Sequence, residues 1–337
     1  MFNLNGELLR RAFYVNALDQ ALFDEKILRV KAMQLFSKYV HDVELENHSY
    51  CNRTCWFCPN SFIDRRSQIA VMSDTVFEKI VSNLEEIRYS GILEWSGYAE
   101  HFAEPSFLTR LKHAREALPH ARPIVFTNGD YLNREIVGEI RRLNIRLHVD
   151  IYPPEGEEFN AEKIAVAIAK FTNRTKLQTR PLDGVRQGWG EYELELDGQP
   201  TDWRMKVGRY SKEIINSRGG SLDIPKTHIY QRTAVCMKPI YHININYDGK
   251  GMLCCNTRSD YAPHKEAIIA DLARDDEDLF TFFAKLAPAR RALLAPGKKE
   301  GVCLSCDDDA DGNPRGPLAR TELGATLARA AKKLLRR

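Results

Sequence analysis

The chain has 337 residues, of which 43% are hydrophobic and 28% are charged, and its formal net charge is +3. This length suits one large domain with an appendage or two modest domains, and so small a charge argues against nucleic acid as the main partner. No apolar run reaches the length of a membrane span, and the N-terminus MFNLNGELLRR lacks the apolar core of a secretory signal. We therefore expect a cytoplasmic protein with no membrane span and no nucleic-acid partner, in which cysteines bind metal rather than form disulfides.

Apolar spacing predicts a helical N-terminal extension over 1–40, followed by strands that alternate with helices. This alternation predicts a parallel sheet with helical crossovers, in the form of a doubly wound sheet or an open barrel. Both architectures gather their chemistry at the C-terminal ends of the strands. The expected strands are 41–47, 92–96, 123–127, 146–152 and 174–180. One helix is expected to begin near Ser73, and three more are expected over 105–117, 133–143 and 160–171.

The C-terminal third has a different pattern. YHININYDGKGMLCC predicts a hairpin that turns at Asp248-Gly249, and an acidic helix is expected over 275–287. The predicted divisions of the chain are an extension (1–40), a main domain (41–230), a second domain (231–312) and a basic C-terminal helix (313–337).

The first three of the eight cysteines form one tight group. Cys51, Cys55 and Cys58 stand as C-x3-C-x2-C in CNRTCWFC. A loop this short can hold three irons of a four-iron cluster and leave the fourth iron open. Zinc usually takes paired C-x2-C knuckles instead. The spacing therefore favours an open iron–sulfur cluster.

Four more cysteines come from three distant segments and could close a second metal site. The fifth remaining cysteine, Cys255, has no assigned partner. The four proposed ligands of the second site are Cys236, Cys254, Cys303 and Cys306.

Several polar segments directly follow predicted strands. Gly97–Glu100, Thr127–Gly129 and Asp150 all occupy such positions. Because strand ends of a parallel sheet meet at one edge, these segments could converge beside the cysteine loop.

CNRTCWFC resembles the signature loop of the radical S-adenosylmethionine (SAM) superfamily. The resemblance implies an α/β fold, a partial (β/α)6 barrel, and a [4Fe–4S] cluster whose open iron chelates the amino and carboxylate groups of SAM. It also implies that Phe57 packs near the adenine. Thr127 and Asn128 resemble the TNG segment that ends the third strand, and Asp150 ends the fourth strand at the same cofactor-binding edge.

The segment SGYAEHFAEP resembles the glycine-rich motif of the superfamily that binds the methionine amino group. Gly97 and Glu100 match that motif. Two positions depart from it, because Ala99 replaces a usual glycine and His101 replaces the usual proline.

The second cysteine set resembles the SPASM/twitch extension of the superfamily, a small C-terminal domain of β-hairpin plus helix. In this resemblance Gly249 makes the turn that returns Cys254 beside Cys236. A full SPASM domain holds two auxiliary clusters and needs more cysteines than the five present here, so one auxiliary [4Fe–4S] cluster is implied. A fully ligated cluster suits an electron acceptor or a structural clamp.

Within the superfamily, the segments CPNS, RPI-x-x-TNGD and SRGG resemble dehydrogenases that act on aminocyclitols. The implied reaction uses a one-electron reductant such as flavodoxin or ferredoxin, cleaves SAM to methionine and a 5′-deoxyadenosyl radical, and removes hydrogen from an alcohol carbon. A small polar substrate such as an aminocyclitol or a sugar would leave as a ketone, with the auxiliary cluster as electron acceptor. Arg218 would lie near the substrate, where a guanidinium can bind oxygens bidentately.

Three alternatives remain open from the sequence. Cys255 could donate a hydrogen atom to a substrate radical, which would make the enzyme an epimerase. A peptide-modifying SPASM enzyme is the second alternative, although the extension of about forty residues is short for a leader-binding domain. A non-catalytic zinc-binding module is the third.

Overall fold

A computed structural model describes residues 18–153, 160–208, 210, 215–224, 229–295 and 297–308. The predicted basic helix over 313–337 and the first 17 residues of the predicted extension lie outside the described residues. The search for membrane-spanning helices found, within these described ranges, none with enough length and apolar character.

The chain forms two compact units. The first, here called the sheet unit, contains Glu44–Ile215 and Asn246–Asp248. The second contains Met1–Val43, Asn216–Ile245 and Gly249–Arg337, and is called the five-cysteine unit because it carries the last five cysteines.

Helices and strands occupy most of the described residues. The helices are α1 (Arg29–Tyr39), α2 (Asp74–Glu86), α3 (Phe107–Ala117), α4 (Arg134–Arg142), α5 (Ala161–Thr175), α6 (Lys238–Tyr241), α7 (Leu279–Lys285) and α8 (Ala287–Leu294). The strands are β1 (Asp42–Leu45), β2 (Ile92–Trp95), β3 (Arg122–Thr127), β4 (Arg146–Ile151), β5 (Leu177–Pro181), β6 (Gly190–Leu196), β7 (Gln199–Val207), β8 (His242–Ile245), β9 (Lys250–Met252) and β10 (Ile268–Asp271).

The sheet unit has the strand order β1-β2-β3-β4-β7-β6-β5. Strands β2, β3, β4 and β7 pair in parallel, with helices as crossovers. Val125, Val149 and Met205 lie on these strands with no exposed surface and form the core beneath the helices. The predicted α/β fold class is confirmed, and the parallel run is compatible with a partial barrel.

The end of the parallel run differs from simple strand–helix alternation. Strand β5 follows α5 as predicted, but it pairs antiparallel with β6, and β6 pairs antiparallel with β7. The strand that joins β4 in parallel is therefore β7. The left-handed conformation of Lys176 (φ 62°) ends α5 and starts this excursion.

Helix starts in the sheet unit follow local side-chain caps. Ser73 Oγ accepts from Val76 N at the start of α2, as predicted, and the asparagine caps Asn133 and Asn160 act in the same way for α4 and α5. Each cap satisfies a backbone N–H that lacks a helical partner. These local bonds fix the residue at which each helix begins.

In the five-cysteine unit, β8, β9 and β10 form an antiparallel ribbon. The predicted hairpin turn is present, with Gly249 at φ 77°. Phe36 of α1 packs edge-on against Phe280 and Phe283 of α7, with ring centroids 5.5 Å apart in both pairs. The acidic helix expected over 275–287 begins only at Leu279, because the Asp278 side chain caps it there.

Candidate active site and cluster sites

The first cysteine group lies on the loop between β1 and the short 3-10 turn Pro59–Ser61. Cys58 N donates to Cys55 O at 2.9 Å, which folds the loop back on itself. Burial, with a smaller contribution from the negative charges of neighbouring cysteines, raises the pKa of Cys51 to about 12 and that of Cys55 to about 11. Three half-buried thiols at one place ionise only with compensating positive charge, and this donor set fits three irons of a [4Fe–4S] cluster.

The turn after β3 holds the cysteine loop by a network of hydrogen bonds. Asp130 accepts from Asn52 Nδ2, Arg53 Nε and Arg53 Nη2, each at 2.7 Å. Asn128 Nδ2 donates to Asn52 Oδ1 at 2.8 Å. Two residues between the first and second cysteines are thus bound to the strand end that carries the TNG segment.

Glu100 connects the strand ends of β2 and β3. Its carboxylate is 1% exposed and accepts from Thr127 Oγ1 at 2.7 Å and from Asn128 N at 2.8 Å. Burial raises the pKa of Glu100 to about 7. Glu100 N also donates to Tyr50 O, next to Cys51, at 2.9 Å. Glu100, Thr127 and Asn128, which were all expected to bind cofactor, therefore meet beside the cysteine loop. The Glu100 carboxylate already accepts hydrogen bonds from the chain itself.

Aromatic rings cover one side of the loop. Phe57 stacks on Tyr210 with a centroid distance of 4.0 Å and meets Tyr152 edge-on at 5.1 Å. The Tyr152 hydroxyl hydrogen-bonds to the Cys55 thiol, and its ring lies 4.7 Å from Arg53 Cζ. Asp150, two residues earlier, is half-buried on β4.

The turn after β2 is held from inside. Gly97 adopts φ 92°, a conformation that favours glycine, and Ala99 behind it is half-buried. His101 is fully buried and shares hydrogen bonds with Ser96 O at 2.8 Å and with the Asn47 side chain. Burial lowers the pKa of His101 to about 3. This neutral histidine fixes the turn at the position where the superfamily usually has proline.

A buried ion pair supports the same turn. Arg65 Nη1 and Nη2 contact Glu46 Oε1 and Oε2 at 2.6 and 3.0 Å, and both side chains are at most 3% exposed. Tyr98 N donates to Glu46 Oε1 at 2.9 Å. The pair therefore joins the segment after the cysteine loop to the segment after β2.

A cavity of about 810 Å³ opens between the cysteine loop, the end of β4 and α5. Its lining includes Cys55, Asn128, Tyr152, Lys170 and Arg174. This volume suits a small molecule and places it beside the candidate cofactor residues.

The second group of thiols is assembled within the five-cysteine unit. Cys236 precedes α6, Cys254 follows β9, and the 3-10 turn Gly301–Cys303 leads into the last knuckle. Burial, with a smaller contribution from the negative charge of Cys236, raises the pKa of Cys303 to about 12 and that of Cys306 to about 11. Burial also raises the pKa of Cys254, to which the charges of Cys306 and Cys303 add. The four thiols lie close together and fit a fully ligated cluster.

The spare cysteine has a charged partner. Lys238 Nζ lies 3.3 Å from Cys255 Sγ and 2.6 Å from Asp308 Oδ2. Asn256 Nδ2 also donates to Asp308 Oδ2, at 2.7 Å. Cys255 therefore belongs to a polar cluster at the edge of the second thiol site.

The turn that carries Arg218 packs on the last knuckle. Ser217 Oγ donates to Ser305 O at 3.0 Å, and Ser217 N donates to Asp307 Oδ1 at 3.1 Å. Arg218 itself is half-buried and left-handed at φ 48°. At Gly219 a Cβ atom would lie 2.8 Å from Asn256 O, so only glycine allows this close approach. These contacts place Arg218 next to the second thiol site.

Sequence reasoning did not single out several charged residues of both sites. Two of them had a signal in the sequence: Asp130 directly follows the TNG segment, and Arg53 lies between Cys51 and Cys55. Arg65, Arg232 and Lys238 gave no such signal, because nothing in their spacing indicates their partners.

Comparison with known proteins gave three results. No family model matches the chain. A protein of Niallia circulans described as S-adenosyl-L-methionine-dependent 2-deoxy-scyllo-inosamine dehydrogenase is 31% identical over 272 residues, covering 79% of this chain and 92% of that protein. A crystal structure of BtrN in complex with AdoMet and 2-DOIA is similar in fold, with a TM-score of 0.55, 21% identity, and coverage of 80% of this chain and 93% of that chain.

Because the chain is similar to this dehydrogenase over most of both chains, the alternative of a non-catalytic zinc-binding module is rejected. The chain belongs to the radical SAM enzymes, and within them to the oxidoreductases of the dehydrogenase type.

Proposed function

We propose that this enzyme oxidises an alcohol carbon of an aminocyclitol or a similar small polar molecule. The proposal assigns a SAM-binding [4Fe–4S] cluster to Cys51, Cys55 and Cys58, and one auxiliary [4Fe–4S] cluster to the second thiol site. The similarity to a 2-deoxy-scyllo-inosamine dehydrogenase supports the substrate class.

In the sheet unit, the chain's own residues would bind the cofactor and shield the reacting groups from water. When bound and reduced by one electron from a flavodoxin or ferredoxin, the cluster and SAM would supply the radical that removes a hydrogen atom from the substrate. The stacked Phe57 and Tyr210 rings offer an apolar surface for an adenine and exclude water. The Asp130 network keeps the three thiols in one arrangement, and Glu100 holds the neighbouring strand ends together.

The observation that carries the dehydrogenase assignment is the second set of four neighbouring, half-buried thiols. After loss of one hydrogen atom, the alcohol carbon must lose a proton from its hydroxyl and one electron to become a ketone. The four thiols would hold a fully ligated cluster, which would supply an acceptor for that electron without an open iron.

The contact between Lys238 and Cys255 bears on the epimerase alternative. Hydrogen-atom donation requires an S–H group that can turn toward the substrate, whereas Lys238 Nζ already donates a hydrogen bond to this sulfur at 3.3 Å. This contact supports oxidation. The role of Cys255 as a hydrogen donor remains a prediction, and no observation favours peptide modification.

Adjacent cysteines provide the test. After anaerobic reconstitution we expect roughly eight irons per chain in the wild type and in Cys255→Ala, and roughly four in Cys254→Ala. With aminocyclitol substrates, the wild type and Cys255→Ala should give a product lighter by two hydrogens. Zinc without iron, or a product of unchanged mass that disappears in Cys255→Ala, would contradict the proposal.

A further inference from the structure

Arg232 is a buried cation inside the second thiol site. Its side chain is 1% exposed. Nε donates to Ala234 O at 3.0 Å, Nη2 donates to Val235 O at 2.9 Å, and Nη1 donates to Cys306 O and Asp308 O at 3.1 and 2.5 Å. Nη1 also lies 3.8 Å from Cys306 Sγ. The guanidinium is thus held rigidly against a proposed cluster ligand.

The contacts of Arg232 leave its charge without a carboxylate. Among the described residues, all of them go to carbonyl oxygens or to the Cys306 sulfur. Lys238, another cation of the site, already has the Asp308 carboxylate at 2.6 Å. A buried charge without an opposite charge costs several kcal/mol. The Cys306 sulfur, 3.8 Å from Nη1, is the contact of Arg232 that would carry negative charge as a cluster ligand.

A fixed cation affects the two redox states of a cluster unequally. A cluster gains one negative charge when it accepts an electron, so a neighbouring guanidinium stabilises the reduced state more than the oxidised state. Because arginine stays protonated in proteins, this stabilisation does not depend on a protonation event. The contact therefore raises the reduction potential of any cluster held there.

We propose that Arg232 is the fixed cation that sets the reduction potential of the auxiliary cluster high enough for it to accept the electron released by the substrate. This inference rests on the proposed function, since it requires a cluster on the second thiol site. It makes Arg232 a positioning residue with an electrostatic role, acting through Cys306.

The chain contains a matched control. Arg290 is also 1% exposed, and it donates to Pro239 O at 2.9 Å and Leu22 O at 3.0 Å. Its guanidinium lies 3.9 Å over the Phe283 ring and contacts no thiol among the described residues. Replacing Arg290 removes a buried arginine of the same unit without removing a cation from the thiol site.

The test is a redox titration, followed by electron paramagnetic resonance, of the reconstituted full-length enzyme. The variants are Arg232→Met, Arg232→Lys and Arg290→Met, and added SAM distinguishes the first cluster by changing its signal. Arg232→Met should lower the potential of the auxiliary cluster by about 59 mV or more, a tenfold change for a one-electron couple. Arg232→Lys, which keeps the charge, and Arg290→Met should shift it much less. The yield of oxidised product per deoxyadenosine should fall in Arg232→Met while SAM cleavage continues.

The outcomes separate this inference from the proposed function. A wild type with roughly four irons would refute the auxiliary cluster itself. A wild type with both clusters, together with an Arg232→Met potential equal to that of Arg290→Met, would refute only the role of Arg232. If Arg232→Met loses the auxiliary irons, Arg232→Lys decides: an unchanged potential supports the electrostatic role. A lowered potential or a second loss of iron in Arg232→Lys shows a structural role and overturns it.

Discussion

Replacing Asp130 by asparagine should loosen the first cysteine loop without changing the shape of the side chain. Asp130 accepts three hydrogen bonds of 2.7 Å from Asn52 and Arg53, and the amide of asparagine would turn a donor toward donors. Bonds to a charged group contribute about 1.5–3 kcal/mol when buried, whereas exposed ion pairs contribute about 0.2–1 kcal/mol. The Arg53 and Asp130 side chains are 25% and 36% exposed, so we expect an intermediate loss of about 1.5 kcal/mol.

That loss corresponds to a roughly tenfold larger open population of the loop. Hydrogen–deuterium exchange measured by mass spectrometry should show the amides around 49–62 exchanging about tenfold faster in Asp130→Asn. Peptides around 299–308 should not change. The control is Glu139→Gln, which breaks an exposed ion pair with Arg142 on α4. Equal loop exchange in Asp130→Asn and Glu139→Gln would refute the reasoning.

Three further predictions follow from the described contacts. Arg65→Met should reduce the free energy of unfolding by about 3–5 kcal/mol in urea titrations, because it leaves a buried carboxylate without its ion-pair partner, whereas exposed Arg142→Met should change the urea midpoint much less. Gly219→Ala should lower the urea midpoint and release auxiliary iron more than Gly198→Ala, since both glycines have positive φ but only Gly219 has a backbone oxygen within 3 Å of the added Cβ; equal effects would show that φ strain alone matters. Because the folded-state pKa of His101 lies below its unfolded value, the unfolded chain binds the extra proton and stability falls as pH decreases below about 6.5, so urea titrations from pH 7 to pH 5 should show a shallower loss in His101→Gln than in the wild type.

Several elements are predictable from the sequence because their signals are local. Ser73 caps α2 three residues before its N–H partner, and the Asp248-Gly249 turn closes the hairpin between neighbouring strands. The same local reasoning placed the start of α7 too early. The acidic residues from 275 onward fit a helical pattern, but the Asp278 side chain caps the helix, which therefore begins at Leu279. The spacing of the cysteines likewise distinguishes a three-thiol loop from a set of four thiols on distant segments, because ligands that share a short loop must lie close together.

The tertiary structure alone decided which charges meet. Arg53 and Asp130 are 77 residues apart, and Arg232 and Cys306 are 74 residues apart, so no sequence period relates them. The antiparallel course of β5 and β6, which gives β7 the place beside β4, is also a long-range outcome. Caps, turns and short ligand loops depend on residues within a few positions of each other, and the sequence determined these by itself. The partners of buried arginines and the neighbours of each strand depend on how the whole chain packs, because a buried charge needs an opposite charge or several hydrogen-bond acceptors, and distant segments supply them.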